Sequence, residues 1–464
     1  MITTFCLVLL NTPLTIPDFS MSGCNSTIAN RSSNNIIDIT DFGAIPNDKN
    51  DDSEAINKAI QSLPPEGGIV NFPPGRWILG QRLKVNADNV QLKGNGSTLF
   101  CPKPLADIYG ENKNWSWSSG FIVLSPTGKQ KELGTITSPV NDGGNTVDID
   151  WTNQKPTPGD WVQIWWYNDI GNDTLLKWLY GDEIKPNQYG EEMQTATTAR
   201  IRSWFKVVSV NENALELDPP LPLPINPVWK PTLMHVPHLQ NCIIDGFNFE
   251  FVESKYPGHL KERGHNCISV SAAVESKVSN ITMKFADSGI FLNNCGFVTI
   301  ENVLTNGRFM HHPISLSYSS HCLVKNFALN APHIHGTTIS WGSHFNVFMN
   351  GEGNALAMDS HRACSFRNLH QNIVVKHGKN PKQPLRSGGS YNRGPHAARE
   401  NVYLNIEHQF QDPDETFEIK LHEEWPLGIF IGWHGNGKLV MKKALPGQQI
   451  KDLNQKSNIS LFVE

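Results

Sequence analysis

Histidine and basic side chains are concentrated between residues 302 and 399, a stretch with very few acidic residues. Its 98 residues hold ten of the seventeen histidines and ten lysines or arginines, whereas Glu352 and Asp359 are its only carboxylates. The whole chain, by contrast, has a formal net charge of -5. Imidazoles exchange protons near neutral pH, and guanidinium groups pair with carboxylates through two hydrogen bonds. The pattern therefore predicts a site that binds an anion and moves a proton.

These are the groups that β-elimination on a uronic acid requires. A cation neutralises the sugar carboxylate, a base removes the acidified C5 proton, and an acid assists the group that leaves C4. Asp359 is close to His361 in the sequence and is expected to orient its ring. The predicted proton-transfer residues are His312, His335, His361, Tyr391 and His396. The predicted substrate-binding residues are His311, His333, Asp359, Arg362, Arg386, Arg393 and Arg399.

Two other functions remain open. Hydrolysis of a glycosidic bond normally needs two carboxylates, so a glycoside hydrolase would use Asp359 with Glu352, or Asp245 with Glu250. The other possibility is a carbohydrate-binding protein without catalysis. Elimination is favoured over both. It has two versions that the residues do not separate: a polysaccharide lyase expels a sugar from C4, and an oligosaccharide dehydratase expels a hydroxyl.

The expected partner is an acidic oligosaccharide or polysaccharide, with no metal or other cofactor. Calcium prefers clustered carboxylates, which this stretch lacks, and the chain has no HExxH spacing for zinc. Nucleic acid is disfavoured as a partner because the chain is acidic overall and its aromatic residues are not interleaved with the basic ones. The sequence leaves the oligomeric state open.

A repeat must position these residues. The motif hydrophobic-x-Asn-hydrophobic recurs with spacings of 22, 24, 21 and 21 residues. A period in the low twenties with short strands predicts an all-β solenoid. The asparagines are expected to stack as turn residues. The repeat units are Val278-Ser-Asn280-Ile281, Ile300-Glu-Asn302-Val303, Val324-Lys-Asn326-Phe327 and Phe366-Arg-Asn368-Leu369, with Phe345-Asn346-Val347-Phe348 as a looser copy.

A second periodic element predicts which side chains face outward. Alternate side chains of a strand point to opposite faces, and neighbouring coils lie ~4.8 Å apart. The inward pairs are Ile268/Val270, Ile290/Leu292, Ile314/Leu316, Thr337/Ile339 and Leu356/Met358. The outward ladder is then Ser269/Ser271, Phe291/Asn293, Ser315/Ser317, Thr338/Ser340 and Ala357/Asp359. This ladder predicts a polar floor for an extended polymer, with the candidate histidines along its edge.

The N-terminal part resembles a known superfamily. Its segments "DFGAIPND", "DDSEAINKAIQSL", "GGIVNFPPGRWIL" and "VQLKGNGSTL" lie between residues 41 and 99. They resemble the opening of pectate-lyase-like right-handed parallel β-helix proteins. The resemblance implies that fold, with an N-terminal helix capping the coil. Because the superfamily includes lyases, hydrolases and phage tailspikes, it does not fix the activity.

A second resemblance lies inside the histidine-rich stretch. The segments "LAMDSHRACSFRNL" and "SGGSYNRGPHAARENVYLNI" are similar to bacterial pectate-lyase-like proteins associated with acidic polysaccharides, uronic-acid polymers such as ulvan among them. This resemblance implies a sulfated algal saccharide as substrate. The residues that carry it are Asp359, His361, Arg362, Arg367, Gly388, Gly389, Arg393, Gly394, Pro395, His396 and Arg399.

Five regions are predicted along the chain. Nine of the thirteen tryptophans lie in an irregular, β-rich stretch, where most are expected to form its own core and one or two to overhang a groove. The apolar run from Phe5 to Leu10 and the lipoprotein-like Met21-Ser22-Gly23-Cys24 predict export to the periplasm or outer membrane. The regions are a leader (1–35), first coils with a helical cap (36–100), the insert (101–235), coils with a groove (236–411) and a C-terminal cap (412–464).

Overall fold

The computed structural model describes residues 16–25, 35–422 and 424–462. The apolar run from Phe5 to Leu10 lies outside these residues. Among the helices in the described ranges, none is long and apolar enough to cross a membrane.

Thirty β-strands, most of them short, form the main regular structure of the described chain. The first coils contain β1 (Ile36–Asp38), β2 (Gly68–Asn71), β3 (Arg76–Ile78), β4 (Leu83–Val85), β5 (Val90–Cys101) and β6 (Ile122–Leu124), with helices α1 (Ser53–Gln61) and α2 (Leu105–Tyr109). They are followed by β7 (Lys131–Ile136), β8 (Thr146–Trp151), β9 (Trp161–Trp166), α3 (Thr174–Tyr180), β10 (Ile201–Val210), β11 (Ala214–Asp218) and β12 (Thr232–His235).

The coils then resume and continue to Lys451. Their strands are β13 (Leu239–Gln240), β14 (Ile243–Phe251), β15 (Asn266–Ser271), β16 (Ala273–Lys284), β17 (Ser288–Asn293), β18 (Gly296–Asn306), β19 (Ile314–Ser317), β20 (Leu323–Leu329), β21 (Thr337–Ser340), β22 (Val347–Asn354), β23 (Met358–Ser360), β24 (Leu369–Lys376) and β25 (Val402–Gln409). The last strands are β26 (Thr416–Lys420), β27 (Ile429–Ile431), β28 (His434–Gly435), β29 (Lys438–Lys442) and β30 (Gln449–Lys451). Short 3₁₀ helices occupy Ile39–Phe42, Lys113–Ser116, Pro186–Gln188, Pro227–Trp229 and Tyr391–Arg393.

Two parallel sheets form the walls of the coil. The long sheet runs in the order β1-β2-β5-β14-β16-β18-β20-β22-β24-β25-β27-β30, with three short strands beside this path. The second sheet has seven strands in the order β23-β21-β19-β17-β15-β6-β4. We call it the cavity sheet because a cavity, described below, lies over its outward face. The inward aliphatic pairs of the cavity sheet are buried between the walls, as at Ile290 and Leu292. This arrangement is the predicted parallel β-helix.

The tryptophan-rich region forms a separate closed barrel. Six strands, β10-β11-β8-β7-β12-β9, close on one another in antiparallel pairs. Trp166 and Trp204 are fully buried. The insert is narrower than the range 101–235 predicted for it, because β6 pairs in parallel with β4 and β15 of the coil. Strand β6 is short and lies in an irregular part of the sequence, so the repeat pattern does not reveal it as a coil strand.

The coil also continues beyond its predicted end at residue 411. Strand β27 pairs in parallel with β25, and β30 pairs in parallel with β27, so both extend the long sheet. Prolines and glycines interrupt the repeat there, which conceals the extra strands in the sequence. Strands β26 and β29 form a separate two-stranded sheet.

Helix α1 follows the first strand of the long sheet. Its apolar residues Ile56, Ala59 and Ile60 are buried in the main core. The side chain of Asp52 accepts hydrogen bonds from the backbone N–H groups of Ile45 (3.0 Å) and Ile78 (2.9 Å), which ties the start of the helix to the coil. That the helix covers the open end of the coil stays a prediction.

Residues 16–25 lie against the outside of the long sheet. Phe19 is fully buried in a cluster with Leu323 and Val347. The backbone N–H of Cys24 donates to Thr299 Oγ1 at 2.9 Å. The lipoprotein-like residues 21–24 therefore belong to a segment that packs on the coil.

Two asparagine ladders run along the coil, where the sequence predicted one. In the first, each residue adopts a left-handed backbone with φ between 52° and 56°, which asparagine tolerates better than most residues. In the second, the side chains are buried and bonded to one another, as from Asn346 Nδ2 to Asn368 Oδ1 at 2.9 Å. The first ladder contains Asn280, Asn302, Asn326, Asn350, Asn372 and Asn405. The second contains Asn346, Asn368 and Asn401.

The predicted repeat units at Asn346 and Asn368 were therefore assigned to the wrong ladder. The residues in register with Asn326 are Asn350 and Asn372, four positions further along each coil. Hydrophobic-x-Asn motifs occur in the exposed ladder and in the buried ladder. The pattern alone therefore does not distinguish an exposed turn from a buried one.

Asn368→Ala is expected to lower the free energy of unfolding by about 3 kcal/mol, because each buried polar group left unsatisfied costs about 1–3 kcal/mol. Asn368 accepts from the Asn346 backbone N–H (3.2 Å) and donates to the Ser343 carbonyl (2.9 Å). Urea unfolding measures the change. The control is Asn330→Ala, an exposed asparagine on the same coils, which should stay within about 0.5 kcal/mol of the parent. Equal effects of the two substitutions would contradict a stabilising role for the buried ladder.

Candidate active site

A cavity of about 550 Å³ lies over the outward face of the cavity sheet. Small polar side chains of β19 and β21 form its floor, and five histidines form one wall. Trp117, Trp341 and Leu260 add apolar surface. We call it the histidine cavity. Its lining residues are Trp117, His259, Leu260, His311, His312, Ser315, Ser317, His335, Thr338, Ser340, Trp341, His361, Gly388, Gly389, Ser390 and Arg393.

The floor is the predicted outward ladder, with one change of register. Ser315 pairs with Thr338 and Ser317 with Ser340, as predicted. The next strand was expected to place Asp359 beside Ser340, but Asp359 pairs with Thr338. A shift of two residues keeps the same side chains on each face, so alternation in the sequence does not reveal it. The shift places Asp359 among the histidines.

Asp359 is the hub of the site. Its Oδ2 lies 2.8 Å from His361 Nδ1 and 2.9 Å from His335 Nδ1, and it accepts a hydrogen bond from the Thr338 hydroxyl at 3.1 Å. Its Oδ1 accepts the Gly388 N–H at 2.9 Å. Burial by itself raises the pKa of Asp359, but His361 and His335 outweigh it and hold that pKa well below the ordinary 3.8. Asp359 is therefore ionised at neutral pH.

Glycine is required at position 388. A Cβ there would lie 2.4 Å from His335 Cε1 and 2.7 Å from His361 Cε1, closer than non-bonded atoms approach. The absence of a side chain lets the loop 387–390 lie directly on the two imidazole rings. The same approach allows the Gly388 N–H to reach Asp359.

Hydrogen bonds fix the position of the Nδ1 proton on three histidines. A carbonyl or carboxylate oxygen only accepts, so His361 donates from Nδ1 to Asp359, and His311 donates from the Nδ1 that lies 2.8 Å from the Ser116 carbonyl. The Thr338 hydroxyl donates to Asp359 and so accepts from His312 Nδ1 at 3.0 Å. His311 and His312, whose pKa values are lowered by burial, therefore keep an Nε2 lone pair.

The histidine rings are packed against one another. His311 and His312 have ring centroids 4.1 Å apart, and the rings of His312 and His335 stack at 4.6 Å. Burial lowers the pKa of His311 to about 3, and it lowers the pKa of His312 well below 6.5. These two imidazoles are therefore neutral at physiological pH.

The structure brings only some of the predicted site residues to the cavity. Four predicted histidines line it, together with Arg393, and Asp359 lies directly behind two of them. The lining histidines are His311, His312, His335 and His361. The predicted residues outside the lining are His333, Arg362, Arg386, Tyr391, His396 and Arg399.

Arg362 and His396 belong to a separate ion-pair cluster with Glu424. Arg362 Nη2 lies 3.0 Å from Glu424 Oε1, and His396 Nε2 lies 2.8 Å from Glu424 Oε2. Burial raises the pKa of Glu424, but His396 and Arg362 outweigh it and lower the pKa to about 2. Tyr391 is 79% exposed and lies under the Arg362 guanidinium, 4.3 Å from it. The roles in proton transfer and substrate binding predicted for these residues do not fit their positions.

The other residues outside the lining also have internal partners. Arg386 Nη2 donates to the Ala355 carbonyl at 2.6 Å, and the Arg399 guanidinium lies 4.2 Å above the Trp178 ring. His333 Nδ1 lies 3.0 Å from the Ala331 carbonyl oxygen. Of the predicted arginines only Arg393 faces the cavity, and its Nε lies 3.1 Å from Glu192 Oε2.

Sequence reasoning missed a loop that completes the wall. His259 and Glu262 lie between β14 and β15, outside the stretch 302–399. Glu262 is buried and lies 3.4 Å from His311 Nδ1. The Tyr256 hydroxyl donates to Glu262 as well. The segment 252–265 could have indicated this loop in the sequence. It is irregular, interrupts the coil just before a cavity-sheet strand, and carries two histidines.

The carboxylate pairs proposed for hydrolysis are not assembled. Glu352 lies on the long sheet, 2.6 Å from Lys376 Nζ. Asp245 and Glu250 lie on β14 of the same sheet. Among the described residues that line the histidine cavity, none is an aspartate or glutamate.

Similarity to known proteins agrees with the observed architecture. A family model described as rhamnogalacturonase A/epimerase, pectate lyase-like, matches residues 36–121. The tailspike protein of Pseudomonas phage LKA1 superposes with a TM-score of 0.51 at 12% identity, covering 92% of this chain and 82% of the tailspike. The fold of the protein is a right-handed parallel β-helix. A tailspike of Pseudomonas phage phi297 shares this β-helix with a TM-score of 0.50 at 13% identity, covering 90% of this chain and 67% of the tailspike.

An enzyme is also similar in sequence to part of this chain. An iota-carrageenase from Zobellia galactanivorans is 38% identical over 140 residues, which are 30% of this chain. The matched region spans 25% of the length of the carrageenase.

Proposed function

We propose that this β-helix is a carbohydrate-active enzyme that performs β-elimination on a uronic-acid-containing saccharide in the histidine cavity. The observation that carries the proposal is the Asp359 hub, which orients His335 and His361 at a cavity that no described carboxylate lines. Elimination needs a proton acceptor and a cation, whereas hydrolysis normally needs two carboxylates facing the substrate. The lining therefore favours elimination.

His361 is the proposed general base. It is the more accessible of the two histidines on Asp359, with 20% of its side chain exposed against 6% for His335. Its Nδ1–H is held by Asp359, so its Nε2 is free to accept the C5 proton. The carboxylate stabilises the imidazolium that forms. Arg393 is the proposed partner of the sugar carboxylate.

A sugar fits the remaining surfaces of the cavity. Trp117 and Trp341 contribute aromatic surface to the lining, and Ser315, Ser317 and Ser340 offer hydroxyl groups along the floor. Amphipathic aromatic rings suit ligands that are partly apolar and partly hydrated. The similarity to an iota-carrageenase supports a saccharide substrate. The sequence signature favours a sulfated algal uronate of the ulvan type, and an exported enzyme would meet such a polymer.

The decisive assay combines ultraviolet absorbance with mass spectrometry on acidic polysaccharides and their oligomers. Elimination creates a conjugated 4,5-unsaturated uronate that absorbs in the ultraviolet, whereas hydrolysis creates none. Cleavage with an unsaturated product identifies a lyase, and loss of one water without cleavage identifies a dehydratase. Saturated products would indicate a hydrolase, and binding without any product would indicate a carbohydrate-binding protein. Either result would refute the proposed elimination.

Arg393→Ala is expected to raise KM about tenfold, since a hydrogen bond to a charged group contributes about 1.5–3 kcal/mol. We expect kcat to fall by at least about tenfold as well, because Arg393 stabilises the negative charge that builds up on the carboxylate as the C5 proton leaves. Steady-state kinetics on the substrate found above measures both constants. The matched control is Lys379→Ala, which removes an exposed cation from the same basic segment outside the cavity. A KM that rises equally in both variants would show that general surface charge, not Arg393, binds the substrate.

A further inference from the structure

We propose that His259, His311 and His335 bind a divalent transition metal ion, zinc being the best chemical match. The three residues come from separate segments, 52 and 24 residues apart, so no compact motif announces the site. Each offers one ligand atom, and the three atoms lie within 4.8 Å of one another. The role of the metal in catalysis rests on the proposed function, whereas metal binding itself does not.

The separation of the ligand atoms suits a small ion after modest movement. Zinc binds imidazole nitrogen at ~2.0–2.1 Å, which places tetrahedral ligand atoms roughly 3.3 Å apart. The ring centroids of His259 and His311 are 4.9 Å apart, and those of His311 and His335 are 5.2 Å apart. His259 lies in an exposed loop, so its side chain has room to turn towards the other two rings.

Two buried nitrogen atoms at this place have no other partner. His311 Nε2 and His335 Nε2 make no hydrogen bond within the described part of the chain. His311 is 2% exposed and His335 is 5% exposed. A buried acceptor without a partner costs about 1–3 kcal/mol. A metal ion bound to both nitrogen atoms would remove that cost.

The surrounding hydrogen bonds resemble the outer shell of histidine metal sites. Metal-binding histidines usually donate their second N–H to a carboxylate or a backbone carbonyl. His335 faces Asp359 Oδ2 through Nδ1, and His311 faces the Ser116 carbonyl through Nδ1. Both rings are thereby held with Nε2 available as the ligand atom.

The cavity also lacks positive charge at this end. Its only lining arginine or lysine among the described residues is Arg393, which is already paired with Glu192. A divalent ion would supply Lewis acidity to neutralise a sugar carboxylate. In that reaction the metal and Arg393 would share the binding of the anion, whereas the sequence predicted a metal-independent reaction.

The test measures metal binding directly. The full-length protein is treated with a chelator, dialysed, and titrated with zinc by calorimetry. Cobalt(II) is added separately, and its visible absorption spectrum reports the coordination geometry. We expect one ion per chain and a cobalt spectrum typical of nitrogen ligands in a four-coordinate site. We expect His259→Ala to weaken zinc binding about a hundredfold or more, since even partners of metal ligands contribute 10–100-fold.

The control is His422→Ala, which removes an imidazole that is 61% exposed and lies outside the cavity lining. It should leave zinc affinity unchanged. Absence of stoichiometric binding by the parent protein, or equal loss in the two variants, would overturn the metal site. Because His259 is exposed, its replacement does not disturb the core, and circular dichroism verifies the fold.

The metal site and the proposed elimination fail in different ways. Zinc binding that depends on His259, without unsaturated product from any acidic saccharide, supports the metal site and refutes elimination. Unsaturated product that survives chelation, with no zinc bound, supports elimination and refutes the metal site.

Discussion

Asp359→Asn is expected to lower kcat for elimination by about 10³- to 10⁴-fold, the loss seen when a carboxylate that fixes a catalytic histidine becomes an amide. The amide oxygen would keep the Gly388 N–H bond, which turns the Nδ2 hydrogens towards His335 and His361. Each imidazole must then accept an amide hydrogen at Nδ1 and carry its own proton on Nε2. The base would face the C5 proton with a hydrogen instead of a lone pair. Initial rates of ultraviolet absorbance measure the loss.

The matched control is Glu352→Gln, which makes the same chemical change in the other carboxylate of the histidine-rich stretch. Glu352 lies on the long sheet beside Lys376, so its replacement should leave kcat unchanged. Circular dichroism and a melting curve show whether each variant is folded. A folded Asp359→Asn protein that retains more than a tenth of the parent kcat would remove Asp359 from the mechanism.

Acidification below about pH 6.5, the ordinary pKa of histidine, is expected to destabilise the whole protein steeply. Burial lowers the pKa of His344 to about 4, and it lowers the pKa values of His370 and His408 to about 3. The unfolded chain therefore binds protons that the folded chain excludes. These groups contribute full stability above pH 6.5, and their contribution is lost as the pH falls towards 4 and 3.

The expected loss is large. Each neutral buried histidine contributes a slope of about 1.4 kcal/mol per pH unit, so these three contribute about 4 kcal/mol per pH unit. Domains have free energies of unfolding of about 5–15 kcal/mol, which such a slope removes within roughly two to three pH units. Urea unfolding at a series of pH values measures the slope.

The substitution His370→Phe tests the cause. The His370 ring stacks between Phe348 at 4.7 Å and Tyr403 at 5.1 Å, so phenylalanine preserves the column. It removes the contact of Nε2 with Thr337 Oγ1 at 3.2 Å and the titrating group. We expect the acid slope to decrease by about 1.4 kcal/mol per pH unit. His422→Ala, in which the lost imidazole is exposed, should keep the parent slope; if the two variants share one slope, buried histidines do not cause the acid sensitivity.

The repeat explains why the sequence found part of the site. His312 and His335 lie 23 residues apart, which is one coil in the register of strands β19 and β21, and each precedes its strand by two residues. Parallel pairing places equivalent residues of successive coils side by side, ~4.8 Å apart. A histidine that recurs at the coil period must therefore contact its counterpart. The fold, the polar floor and the stacking of His312 on His335 follow from this periodicity.

The partners of the arginines did not follow from it. The composition between 302 and 399 suggested that the arginines there have no carboxylate partners. Three of them pair with glutamates outside that stretch: Arg362 with Glu424, Arg393 with Glu192, and Arg367 with Glu400. The barrel and the last coils bring these carboxylates to the arginines. The net charge of a stretch of sequence can therefore differ from the net charge around that stretch in the folded protein.

By itself, the sequence determined the parallel coil, the outward ladder and the gathering of histidines, because each depends on a period of two residues or of one coil. Only the tertiary structure decided that Asp359 lies beside Thr338 instead of Ser340, and that His259 joins the histidine wall from a distant loop. A register shift of two residues leaves the alternation of faces unchanged, and a loop outside the repeat has no period. Their positions are set by packing between segments far apart in the chain, and that packing makes Asp359 the hub of the site.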